Sequence, residues 1–126
     1  MKTANTLSLQ AVHLAYLTSA LWSSTQDDEL CTPFDETFGI HDFTDKAWNK
    51  ALSNCGSLIY LLDEAGIVYT GTSSKFGYDF WLTRNHHGAG FWDRGGESGA
   101  AITKIVQDNF RELNLFETES GQVCME

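Results

Sequence analysis

The sequence predicts a single α+β domain spanning residues 1–126, in the order α-α-β-β-α-β-β, with a small antiparallel sheet and helices packed on one face. Three observations predict it. Apolar residues recur at helical spacing in three separate stretches. Two glycine-punctuated stretches have the layout of hairpins. No strand–helix–strand alternation runs through the chain, and no glycine-rich phosphate loop joins a strand to a helix, so a Rossmann or P-loop nucleotide site is unsupported. With 42% hydrophobic and 13% aromatic residues, the chain has material for a core.

The first helix is expected from Ser8 to Ser23, where Leu9, Val12, Tyr16 and Ala20 mark one stripe and Leu14, Leu17 and Leu21 widen it. His13 falls beside that stripe, as a packed and hydrogen-bonded residue. Residues 24–43 read as an acidic, irregular segment. Phe34, Phe38, Ile40 and Phe43 staple it to the core, with bends at Pro33 and Gly39. The second helix starts near Thr44 or Asp45, either of which can cap it, and stops before Gly66. Its stripe is Trp48, Leu52, Cys55, Ile59 and Leu62. Residues 67–69 read as a short strand or a helix tail, and 71–77 as loop.

Tyr78–Arg84 then reads as a strand and Phe91–Arg94 as its return, joined by a glycine-rich connection over residues 85–90. A third helix is expected from Ser98 to Leu113. A last hairpin pairs Leu115–Thr118 with Gln122–Met125 around residues 119–121.

Charge bounds the function. The chain carries 17 acidic against 8 basic residues, a net charge of −9. Direct nucleic-acid binding is disfavoured, because phosphate neutralisation needs clustered lysine and arginine. No lysine or arginine lies between Lys2 and Lys46, a gap that holds Asp27, Asp28, Glu29, Asp35, Glu36, Asp42 and Asp45. These seven are the candidate partner-binding residues: a solvated acidic loop, or a face for a basic partner. Cys31, Cys55 and Cys124 are widely spaced and without a CxxC, which argues against structural zinc and for small core residues in a reducing cytosol. No apolar run reaches transmembrane length, so no membrane contact is expected.

The densest chemistry lies in GYDFWLTRNHHGAGFWDRGG, residues 77–96. A metal reading would draw on His86, His87 and Asp79 or Asp93, but adjacent histidines rarely chelate one ion. An acid–base reading would gather Asp79, Arg84, His86, His87 and Asp93 in a cleft, without an evident nucleophile. A structural reading pairs Asp79 with Arg94, or Asp93 with Arg84, across the hairpin. It also stacks Trp81 on Trp92 and lets Asn85 close the turn. An interface reading keeps the rigid hairpin and uses an exposed Trp81 or Trp92 as an anchor. The structural reading accounts for most residues at once, so no catalytic residue, metal or cofactor is expected.

The segment DFWLTRNHHGAGFWDRG (Asp79–Gly95), with ALWSS (Ala20–Ser24) before it and a cysteine-bearing helix between, resembles a family of small acidic bacteriophage proteins with a DFWLTRNxHGAGFWDR-type motif. That resemblance implies a phage origin, residence in the host cytoplasm and no particular reaction. By analogy with small acidic phage proteins that block host machinery, the expected function is engagement and inhibition of a host protein. One form of such a partner is a nucleic-acid-binding defence complex whose basic surface is occupied. The alternative is a small enzyme or a ligand- or metal-binding module built on Asp79–Asp93. Oligomeric state stays open at this point.

Overall fold

A computed structural model describes residues 5–86, 89–94 and 98–126, with the side chains of Asp93 and Arg94 left aside. Its order is α1 (Leu9–Ser23), α2 (Asp45–Ala65), α3 (Ser73–Arg84), the single turn α4 (Phe91–Arg94), α5 (Gly99–Asn109), β1 (Leu115–Glu117) and β2 (Val123–Met125). Helices thus precede one two-stranded antiparallel sheet, and the α+β class holds. No helix among the described residues is long and apolar enough to cross a membrane.

Helix α1 begins where expected. The Ser8 side chain accepts a hydrogen bond from the Ala11 amide, satisfying a donor that the first turn leaves open. Val12, Tyr16, Leu17, Ala20 and Leu21 are buried. Helix α2 is capped the same way by Thr44, whose hydroxyl accepts from Ala47. It ends at Gly66, left-handed at φ 70°, whose amide closes the last turn. A side chain there is strained, so Gly66→Ala should cost about 1 kcal/mol, read as a lower urea midpoint at unchanged slope.

The α2 stripe differs in phase from the expected one. Ala47, Ala51, Cys55, Leu58 and Leu62 are buried, while Trp48, Leu52 and Ile59 are only half-buried. The small side chains face the core, and Trp48 covers its rim, edge-on to His13 at 4.6 Å.

The expected hairpin over Tyr78–Arg94 is absent. Residues 73–84 form α3 and 91–94 one turn of helix. Thr72, read as loop, caps α3 by accepting from the Lys75 amide at 3.1 Å. From Phe76 to Arg84 every residue of α3 except Tyr78 is buried. A helix enclosed on nearly all sides shows no amphipathic stripe, and its apolar and polar residues here mimic alternation. Gly77 lies against α1: a Cβ there would overlap the Val12 carbonyl and sit 2.8 Å from Ala15 Cβ. That glycine marks close helix packing rather than a turn.

Helix α5 stops at Asn109, short of the expected Leu113, because Phe110 is extended at φ −130°. Residues 110–114 cross the surface to the sheet. The last hairpin forms as expected, with Leu115 opposite Met125, Phe116 opposite Cys124 and Glu117 opposite Val123. The far side of β2 bridges to Phe43, and the Thr44 amide donates to the Val123 carbonyl. β1 is therefore the outer strand. Residues 24–43 are less irregular than expected: Thr25 bridges Pro33, and short 3-10 turns occupy 34–36 and 40–42.

Candidate functional site

Much of the motif over residues 79–94 is turned inward: Asp79, Phe80, Trp81, Arg84 and Phe91 are buried, while His86 and Trp92 are exposed. Arg84, only 3% exposed, is the centre of a buried polar network. Its Nε and Nη2 donate to the Arg111 carbonyl at 2.9 and 2.7 Å. Nη1 donates to the Tyr16 hydroxyl at 3.1 Å and to Asn54 Oδ1 at 2.7 Å. The guanidinium also lies 5.6 Å from the Phe80 ring centre and 5.3 Å from that of Phe110. Among the described residues all the hydrogen-bond acceptors are neutral oxygens, so there dipoles and ring faces hold the charge.

This environment silences its neighbours. Burial pushes the Tyr16 phenol and the Cys55 thiol far above their ordinary values, against the opposing pull of Arg84. Neither ionises near neutrality, so neither is a nucleophile or a base. Burial likewise lowers His13, whose Nε2 lies 3.1 Å from the Trp48 carbonyl. His13 is the packed, hydrogen-bonded residue that its position predicted.

Asp79 is fully buried on α3. Trp81 is buried, edge-on to Tyr16 at 5.4 Å, and donates from its indole to Ser23 Oγ at 2.9 Å. Asn85 donates to the Trp81 carbonyl at 3.0 Å and accepts from the Leu113 amide at 2.8 Å. Thr83 Oγ1 accepts from the Phe91 amide, and no side chain fits at Gly90 between them. His86 is exposed, left-handed at φ 57°, and 3.3 Å from Glu112.

Arg84 makes its described hydrogen bonds to Tyr16, Asn54 and Arg111, and the expected tryptophan stack does not form: among the described residues Trp81 makes no ring contact with Trp92, which is 59% exposed. His87 and the side chains of Asp93 and Arg94 lie outside the described residues, as does half of the proposed Asp79–Arg94 pair. Asp79, Arg84 and His86 line neither part of the groove described below, and no group of metal-ligating side chains gathers among the described residues. Of the expected anchor residues, Trp92 is the one that faces solvent.

The open feature lies elsewhere. A groove runs between the chain leaving α1 and the chain entering β1. Its larger part, about 720 Å³, is bounded by 25–28, Cys31 and Phe34 on one side and by 115–117 on the other. A narrower continuation of about 240 Å³ is bounded by 23–25 and 112–115, with Trp81 and Asn85 from α3 also lining it. Both walls hang on α3: Trp81 holds Ser23, while Arg84 and Asn85 hold Arg111 and Leu113.

Carboxylates dominate the rim. Asp27, Asp28, Glu112 and Glu117 line the groove, and among the described residues no lysine or arginine does. Backbone and side-chain hydrogen bonds from Thr32 lower the Asp28 carboxyl below its ordinary value. Of the seven acidic candidates, Asp27, Asp28, Glu29, Asp35, Glu36 and Asp45 are exposed. Asp42 is spent locally, accepting from the Gly39 amide at 2.8 Å. Asp45 sits in the first turn of α2, where a negative charge favours the helix.

Cys31 corrects the expectation of three core cysteines. Cys55 and Cys124 are buried, but Cys31 is exposed and left-handed at φ 49°. Glu112, Phe116 and Glu117 escaped notice in the sequence, because the signal that groups them with Asp27 and Asp28 is tertiary. Compared with protein-family models, curated proteins and solved structures, the chain finds no match.

Proposed function

We propose that this chain is a non-enzymatic acidic binding protein, of bacteriophage origin and acting in the host cytoplasm, that engages and inhibits a host protein through a basic surface. A nucleic-acid-binding defence complex is one partner of that kind. The observation that carries the reading is the turn after α1. Asp27, Asp28 and Glu29 stand exposed in succession, and Leu30 beside them is 86% exposed. An apolar tip set among carboxylates suits a protein surface better than bulk water. The burial of Asp79, Phe80, Trp81, Arg84 and Phe91 supports the same reading, since these residues of the motif build the core.

Affinity capture from a bacterial lysate tests this. Asp27→Asn, Asp28→Asn and Glu29→Gln combined should reduce the captured partner at least about tenfold, and added salt should weaken wild-type capture in parallel. Capture that ignores both the triple change and salt overturns the proposal. Loss of the partner only on His86→Ala with His87→Ala would move the binding surface to the motif.

A further inference from the structure

The groove has the backbone chemistry of a sheet with one strand missing. In the β1–β2 ladder, Asn114 and Glu126 exchange both hydrogen bonds, Asn114 N to Glu126 O at 2.8 Å and Glu126 N to Asn114 O at 3.0 Å. Antiparallel pairs alternate, so Leu115 and Glu117 occupy non-hydrogen-bonded positions opposite Met125 and Val123. Their N–H and C=O groups point away from β2, and among the described residues they take no hydrogen bond. The opposite wall repeats the pattern. Phe34 N donates to Ser24 O and Gln26 N to Thr32 O, which places Thr25 at the non-hydrogen-bonded position opposite Pro33. Thr25 therefore directs its own N–H and C=O away from residues 32–34, and it borders both parts of the groove.

We propose that the groove accepts one extended, lysine- or arginine-bearing peptide segment of a partner protein, added as a strand along β1. The occupant follows from three features. Outward backbone donors and acceptors at Leu115, Glu117 and Thr25 require a partner with regularly spaced amides. Asp27, Asp28, Glu112 and Glu117, with no cation among the lining residues, require positive charge. Phe116, 39% exposed, and half-buried Leu115 supply apolar surface for alternate side chains. A second copy of this chain would bring its own net charge of −9 to the same edge. This inference rests on the acidic-binding reading and names the class of segment recognised.

The test uses a fluorescein-labelled octapeptide of alternating lysine and valine. Three comparisons accompany it: the same peptide N-methylated at alternate residues, its glutamate–valine counterpart, and the Glu117→Gln and Glu117→Pro variants. Fluorescence anisotropy should show salt-sensitive binding of the lysine peptide to wild type. The methylated peptide, which keeps the charge but cannot pair, should bind about tenfold more weakly. Proline at 117 removes only an outward donor, so it should weaken binding well beyond Glu117→Gln while circular dichroism stays unchanged. If that variant misfolds, the methylated peptide on wild type decides. Equal binding of methylated and unmethylated peptides overturns strand addition and leaves the acidic reading standing. Equal binding of the glutamate peptide overturns both. Absence of binding by every peptide overturns the groove assignment alone, as does a concentration-dependent dimer that Glu117→Pro abolishes.

Discussion

Arg84→Met should destabilise the fold by about 3–5 kcal/mol. The substitution preserves much of the side chain's length but removes the guanidinium. The Tyr16 hydroxyl then loses its donor in the interior, and the Arg111 carbonyl, half-buried beneath an exposed side chain, loses two. Each buried orphan costs about 1–3 kcal/mol, and the lost ring contacts add to that. Asn54 is half-buried and recovers part of its loss from water. A domain of this size holds a margin of about 5–15 kcal/mol, so the variant should approach the edge of folding. Arg84→Lys keeps a charge and one or two donors but not the planar fork, and should recover less than half of the loss. Urea denaturation followed by circular dichroism measures both. A midpoint for Arg84→Met within experimental error of wild type would show that the network contributes nothing to the fold.

Gly77→Ala should cost about 2–3 kcal/mol, although helix propensity alone predicts a gain of about 1 kcal/mol. The new methyl would meet the Val12 carbonyl and the Ala15 side chain, both on α1, so the two helices must separate. Gly56→Ala is the internal control. It lies in the middle of α2, where the nearest atom to a new Cβ is Leu9 Cδ2 at 3.9 Å. That variant should gain about 0.5–1 kcal/mol. Opposite signs in one denaturation series would separate steric contact from propensity. A gain in both would mean that α1 and α3 pack with slack.

What the sequence revealed follows from how each element is buried. Helix α2 was legible because one face is buried and one is wet, and the final hairpin because the Glu119-Ser120-Gly121 turn, with Gly121 at φ 82°, separates its two short strands. Leu58 and Leu62 of α2 contrast with exposed Ser53 and Ser57 on its other side. Helix α3 was not legible, because it threads the core and shows no polar stripe from Phe76 to Arg84. Its Thr72 cap and Gly77 contact used residue types that elsewhere mark loops. Phe110 and Leu113 extended the apparent period of α5, although their burial comes from an extended crossing. The acidic segment was legible as composition. Its placement opposite β1 was not, since the groove joins two stretches far apart in the chain.

The hydrogen bonds that tie α3 and its cap residue Asn85 to Ser23, Arg111 and Leu113 have a kinetic consequence. The groove takes its width when the helices dock, before any visitor arrives. An incoming segment would be the only party obliged to give up conformational freedom. Encounter should then proceed without a slow rearrangement of this chain, at a rate governed by diffusion and by the pull of its carboxylates. Stopped-flow mixing with the lysine–valine peptide would show this as a single phase, linear in peptide concentration and slowed by salt. Trp81→Phe, which removes the tie to Ser23, should introduce curvature by loosening one wall.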